Sequence, residues 1–170
     1  MPRIGVAIAV PAPWGDDLQE MRRSFGDPAA DCIPTHITLL PPTDVDDSDL
    51  PKIHHHLVSI GFRFGPFRLR LRGTGTFQPV SPVVFVVVSE GISASELLAS
   101  QVRSGPLAQE LRYNYHPHVT VAQDVGDDAL RRAYDSLRDY ECRFTVEQFS
   151  LFLHGEDGVW RPSEHYRLEV

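Results

Sequence analysis

The chain has 170 residues, 42% of them hydrophobic and 23% charged, with a formal net charge of −7; this allows one domain, or two small lobes on a shared core, large enough to bury most of its apolar surface. The negative charge excludes a protein that coats nucleic acid through a broad basic face, so no DNA partner is expected, although a small phosphate site needs only a few local donors. No apolar run approaches the ~20 residues of a membrane-spanning helix, and no membrane partner is expected.

Residues 3–10 (RIGVAIAV) predict a first strand rather than a signal peptide, because no small-residue cleavage pattern follows the short apolar run. Trp14, Leu18, Met21 and Phe25 recur at helical spacing, and Gly26 follows them. Thr35–Leu40 predicts a strand ended by Pro41-Pro42. Ser48 can cap a helix over about 49–60, with Pro51 in its first turn and Gly61 closing it. In FRLRLRGTGTF, Arg68, Arg70 and Arg72 alternate with Leu69 and Leu71, the period of a strand. PVVFVVVSE at 82–90 is apolar on both faces and predicts a central strand. A helix beginning at Ser93 or Ser95 is expected to reach about Leu111, followed by a strand over His118–Gln123 and a helix from Asp127 to about Tyr140. Strands near 143–154 and 165–170, joined by the turn GEDG at 155–158, complete the chain. The order is roughly βαβαβ followed by βαβαββ.

Two stretches share a pattern. HITLL at 36–40 and HVTVA at 118–122 each carry a histidine, an apolar residue, a threonine and another apolar residue, 82 positions apart. Eight histidines and seven threonines would give fewer than one His-x-Thr by chance in a chain of this length, and the half-chain spacing suggests duplicated lobes. In a strand, residues i and i+2 point the same way. His36 and Thr38 therefore share a face, as do His118 and Thr120, while the apolar residues between them anchor the core. Facing each other across a cleft, two such strands offer two imidazoles and two hydroxyls to one small space. That set suits a phosphodiester: one neutral imidazole takes a proton from water, the other, protonated, gives a proton to the departing sugar oxygen. The hydroxyls can hydrogen-bond the non-bridging oxygens as charge builds there, and no metal is required.

His36-Ile37-Thr38-Leu39 and His118-Val119-Thr120-Val121 resemble the signature of the 2H phosphoesterase superfamily. Their order and spacing are similar to its branch of 2′-5′ RNA ligases and RNA 2′,3′-cyclic phosphodiesterases, and the similarity runs over nearly the whole chain, through RIGVAIAV, FRLRLRGTGTF, PVVFVVV and YHPHVTVAQ. The resemblance implies an α+β, bilobal, LigT-like fold with pseudo-two-fold symmetry, in which two antiparallel-rich sheets line a central cleft with helices outside. Residues 1–170 would be a single domain, each lobe contributing one motif. Also implied is cofactor-free, metal-independent opening of a cyclic phosphate, or reversible 2′-5′ ligation, on an RNA end or a small cyclic nucleotide, by a cytoplasmic monomer. His36 and His118 would be the acid/base pair, Thr38 and Thr120 the phosphate-binding hydroxyls. The sequence departs from the branch at Gln123, where bacterial members often carry an arginine, and at Pro41-Pro42-Thr43, where they often carry an aromatic-Leu-Gly turn. These departures leave the substrate open. A non-catalytic nucleotide- or RNA-phosphate-binding module, or the same chemistry on a non-RNA compound such as a cyclic ADP-ribose phosphate, stays as an alternative.

Phe77, Tyr113 and Tyr115 flank the expected cleft strands, where an exposed ring could stack on a base; Phe77 is weighed more as core. His116, two residues before His118, is expected to stand beside it as a spectator or supporting residue rather than as a third catalyst. The Arg68, Arg70, Arg72 stripe could follow an RNA backbone but is more commonly a solvated face, and His54, His55 and His56 splay around a helix, a poor single-metal site. Gly73-Thr74-Gly75 predicts a bulge or close packing near the cleft. Cys32 and Cys142 lack zinc-ligand spacing and are expected as plain thiols of a reducing compartment, with a disulfide between them left open.

Overall fold

The computed structural model describes residues 1–170. β1 (Arg3–Ala9), α1 (Trp14–Ser24), β2 (His36–Asp44), α2 (Leu50–Arg63), β3 (Phe67–Thr76) and β4 (Val83–Glu90) are followed by α3 (Ile92–Val102), β5 (His118–Gln123), α4 (Asp127–Ser136), β6 (Glu141–Val146), β7 (Gln148–His154) and β8 (Trp160–Arg167). The strands make two four-stranded antiparallel sheets, ordered β2-β1-β7-β8 and β5-β4-β3-β6. The fold is α+β with a pseudo-two-fold relation: β2 corresponds to β5, β1 to β4, and both motif strands are sheet edges.

The helices are exchanged between the sheets. α1 leaves β1 but packs against β5, and α3 leaves β4 but packs against β2. One hydrophobic core runs through both sheets as a result, from Ile4, Ile37 and Leu39 to Val86, Val119 and Val121. A buried ion pair fastens the exchange. Arg22 Nε lies 2.7 Å from the Asp27 carboxylate, whose oxygens also accept the Ala29 N–H and, from the opposite sheet, the Gln123 N–H, each at 2.8 Å. A buried carboxylate persists only with its oxygens partnered in this way.

The structure corrects several expected boundaries. The apolar run expected as one strand over 143–154 is two: the chain leaves the β5-containing sheet after Val146 and enters the other at Gln148. The lobes are therefore not sequence halves, since β3 belongs with β4 and β5, while β7 and β8 complete the sheet begun by β1 and β2. The last strand runs over Trp160–Arg167 rather than 165–170. β2 does not stop at Pro41-Pro42. A bulge in β2 between Leu40 and Thr43, opposite Val6 and Ile4 of β1, holds the two prolines and pairing resumes at Thr43, tolerable because β2 is an edge strand that can lack ladder donors. The helix expected to reach Leu111 ends at Val102, because Ser104-Gly105-Pro106 starts a short 3₁₀ turn. α2 runs past Gly61, where a Cβ would come 2.5 Å from the Arg167 carbonyl oxygen; that glycine serves close packing, not termination.

Gly73 adopts a positive φ of 72° where the β3–β4 register shifts, the bulge expected there. Arg70 pairs with Glu141 at 2.7 Å on the outer side of the sheet, and the arginine stripe lies outside the cleft. His54 meets the Tyr166 hydroxyl and His56 the Val102 carbonyl, so their rings go to different neighbours. Cys32 and Cys142 are free thiols.

Candidate functional site

β2 and β5 approach each other where the two sheets meet. Both strands show the same alternation: His36 and Thr38 are half-buried with Ile37 and Leu39 sealed behind them, and His118 and Thr120 are half-buried with Val119 and Val121 sealed behind. Period-two geometry produces this directly, because the β-branched and leucine side chains take the core face and leave the polar pair to the other.

Each imidazole is oriented by the same device. His36 Nδ1 lies 2.8 Å from the Pro34 carbonyl oxygen, and His118 Nδ1 lies 2.6 Å from the His116 carbonyl oxygen, two residues upstream in both cases. A carbonyl only accepts, so Nδ1 carries the proton in both rings and Nε2 is left as the reactive nitrogen. Burial is the main cause that pushes the His36 pKa down, to about 4, with Arg22 and His118 adding positive charge nearby and the Pro34 bond opposing. Burial also lowers the His118 pKa, with His116 contributing charge and its carbonyl opposing.

A cleft of about 720 Å³ is lined by Thr38, His118, Thr120, Phe77, Tyr115 and His116 among others, within the size usual for small-molecule sites. His36 opens on an adjoining slot of about 90 Å³, formed with Gly5, Ala7, Ile33, Phe152 and Trp160, and Thr38 lines both spaces. Six of the seven residues expected at the site thus line one cleft; the seventh, His36, does not line it and opens on the adjoining slot, which shares Thr38 with the cleft.

The aromatic residues divide in role. Phe77 sits edge-on to His118 with ring centroids 4.9 Å apart, and Phe85 does the same at 5.3 Å. His116 joins this cluster at 5.6 Å from Phe77. Tyr115 is half-buried and its hydroxyl donates to the Thr38 carbonyl at 2.7 Å, tying the loop before β5 to β2. Tyr113, 61% exposed, is the ring free to meet a ligand.

Sequence reasoning missed three residues here. Phe85 lies opposite Thr120 in the β4–β5 ladder, hidden in a run apolar on both faces. Trp160 lies in the stretch between the two expected last strands. Arg103 lines the cleft and was placed inside an overlong helix; ending that helix at Ser104-Gly105-Pro106 would have put it at a helix terminus.

The sequence profile described as 2′-5′ RNA ligase superfamily matches residues 9–158. A Bacillus thuringiensis (strain Al Hakam) protein bearing a provisional phosphoesterase name is 29% identical over 170 residues, covering 98% of this chain and 96% of the relative. A Bacillus mycoides (strain KBAB4) protein with a name of the same kind is also 29% identical, with the same coverage. Among solved structures, E. coli LigT complexed with NADP+ superposes with a TM-score of 0.72 at 21% identity, covering 100% of both chains. LigT complexed with 3′-AMP gives 0.71 at 21% identity, covering 99% of both. At that identity the likeness is one of fold.

Proposed function

Because the chain belongs to the 2′-5′ RNA ligase superfamily, within the 2H phosphoesterases, we propose that it is a metal-independent phosphodiesterase that opens a 2′,3′-cyclic phosphate on an RNA end or small nucleotide. In this mechanism one imidazole Nε2 removes a proton from water as the water oxygen bonds to phosphorus. The bond from phosphorus to one sugar oxygen breaks, and the second imidazole gives that oxygen its proton. The product is a ribose phosphomonoester with the other sugar oxygen still attached. Thr38 and Thr120 hydrogen-bond the non-bridging oxygens, where charge develops.

The observation that carries this is the matched pair of imidazoles, each with Nδ1 held by a carbonyl two residues upstream and Nε2 left free beside a threonine. A rigid neutral ring presenting one lone pair is the form general-base catalysis needs. The E. coli LigT structures that hold 3′-AMP and NADP+ add that this fold accommodates nucleotides. Residues 1–170 act as one domain of two lobes, as a monomer in a reducing cytoplasm, for which the two free thiols are suited.

Turnover of nucleoside 2′,3′-cyclic phosphates, in chelator, tests this. His36→Ala and His118→Ala should each lower kcat by at least ~10²-fold. Loss of activity in EDTA with recovery on added metal would overturn the mechanism, and unchanged turnover in either variant would remove that histidine from it.

A further inference from the structure

We propose that Arg103, stacked on Tyr115, forms a second anion site in the cleft that takes a non-reacting phosphate of the substrate. This deepens the cyclic-phosphodiester assignment and rests on it only for the identity of the reacting group.

The charge pattern is the first support. In a chain of net charge −7, the cleft is lined by Arg103 and Arg112 and by no aspartate or glutamate. Such a concave surface draws anions against the charge of the whole molecule. The second support is how Arg103 is held. It caps the C-terminus of α3, and its guanidinium carbon lies 5.1 Å from the centroid of the Tyr115 ring. Tyr115 in turn is hydrogen-bonded to Thr38 on the motif strand. A guanidinium held over a ring in this way can still turn N–H groups toward a pair of oxygens of a tetrahedral phosphate.

The third support is an unmet donor. Arg103 Nη1 is buried without a hydrogen-bond partner and no carboxylate lies within ion-pair distance of the guanidinium, so its charge is uncompensated within the chain and the part of it that lines the cleft is left to an anion. Glu96, two turns earlier in α3, acts electrostatically on Tyr115 but makes no ion pair with Arg103.

Arg103 stands off the motif strands, reaching Thr38 only through the Tyr115 ring. The reacting phosphate already has two imidazoles and two hydroxyls from β2 and β5. The wall continues past Arg103 with Arg112 over Tyr113 at 5.4 Å, and with Tyr113 and Val80 exposed by 61% and 69%. A substrate longer than the reacting group would lie along that wall. The second phosphate has two sources: a 5′-phosphate on the same nucleotide, or the next linkage of an oligonucleotide.

The experiment compares three substrates: a nucleoside 2′,3′-cyclic phosphate, its 5′-phosphorylated form, and a dinucleotide ending in a 2′,3′-cyclic phosphate. Wild-type protein should show kcat/KM at least ~10-fold higher for one or both phosphate-bearing substrates, and whichever is favoured identifies the source. Arg103→Met should bring that ratio to within about 2-fold of one, and Arg103→Lys should retain part of it. No preference in the wild type, or a preference that survives Arg103→Met, overturns the site. Calorimetry gives a readout independent of turnover. A nucleoside 3′,5′-bisphosphate should bind wild type at least ~10-fold tighter than the 3′-monophosphate, and Arg103→Met should abolish the difference. Bisphosphate selectivity without hydrolysis of any cyclic phosphate would leave this site standing and refute the assigned reaction; hydrolysis without selectivity would do the reverse.

Discussion

The two His-x-Thr strands are alike along their own chain and different across it. Opposite His36 and Thr38 in the β1–β2 ladder stand Ala9 and Ala7; opposite His118 and Thr120 in the β4–β5 ladder stand Val87 and Phe85. Small residues beside the first motif leave a slot floored by Phe152 and Trp160. Large ones beside the second close Phe77, Phe85 and His116 around the imidazole. The groups proposed to act on phosphorus are duplicated, and the walls around them are not. A near-symmetric centre suits a reaction with one incoming and one leaving oxygen, while the unequal walls suit a substrate with different ends.

The largest expected effect tests whether the two motifs form one machine. If both imidazoles serve the same displacement, the His36→Ala, His118→Ala double variant should be about as slow as the worse single variant, at least ~10²-fold below wild type. Losses that multiply would show that the motifs act independently; single-turnover rates measure this.

Next is the aromatic asymmetry. Phe85 is buried and contacts both Phe77 and His118. Phe85→Ala should destabilise the fold by about 3 kcal/mol, read from urea unfolding midpoints, whereas a loss below about 1 kcal/mol would mean that the ring is not part of the core.

The two imidazoles should also titrate low. His36 is pushed down to about 4, and His118 is lowered as well, so in a histidine NMR titration both should protonate below the ~6.5 of a free imidazole. An unfolded histidine protonates near pH 6.5. Between 6.5 and 4 the unfolded chain therefore binds the proton that folded His36 does not. The stability from this group is complete above pH 6.5 and is lost as pH falls toward 4. His36→Gln should reduce that acid loss by about 1 kcal/mol, allowing for solvent around a half-buried ring. Identical pH dependence in wild type and variant would contradict it.

The smallest effect concerns the tie between lobes. Tyr115→Phe removes the hydroxyl that donates to the Thr38 carbonyl and should cost about 1 kcal/mol, visible in the thermal midpoint; no change would mean the loop is held by packing alone.

The strands that carry the motifs were legible because a two-residue period is a local signal, and it assigned His36 and Thr38 to one face and Ile37 and Leu39 to the other. The crossing between β6 and β7 was not legible. Glu147 is one polar residue in a continuous strand-like run, and only partners distant in sequence show that Val146 pairs with Phe67 while Leu151 pairs with Val6. Phe85 could not be assigned a face because PVVFVVV is apolar on both. Arg103 escaped because helical periodicity was followed past a Ser-Gly-Pro stop. Prolines misled at β2 for the opposite reason: Pro41 and Pro42 read as an end, and an edge strand with a bulge accommodates them.

The most direct test of the central claim, that both imidazoles address one phosphate through Nε2, is ¹⁵N NMR of the histidine rings during titration with a nucleoside 2′-monophosphate. In the free protein both rings should show the Nδ1–H form, and both Nε2 signals should move along one saturation curve. Movement of only one ring, or two rings saturating at different concentrations, would contradict a shared phosphate site.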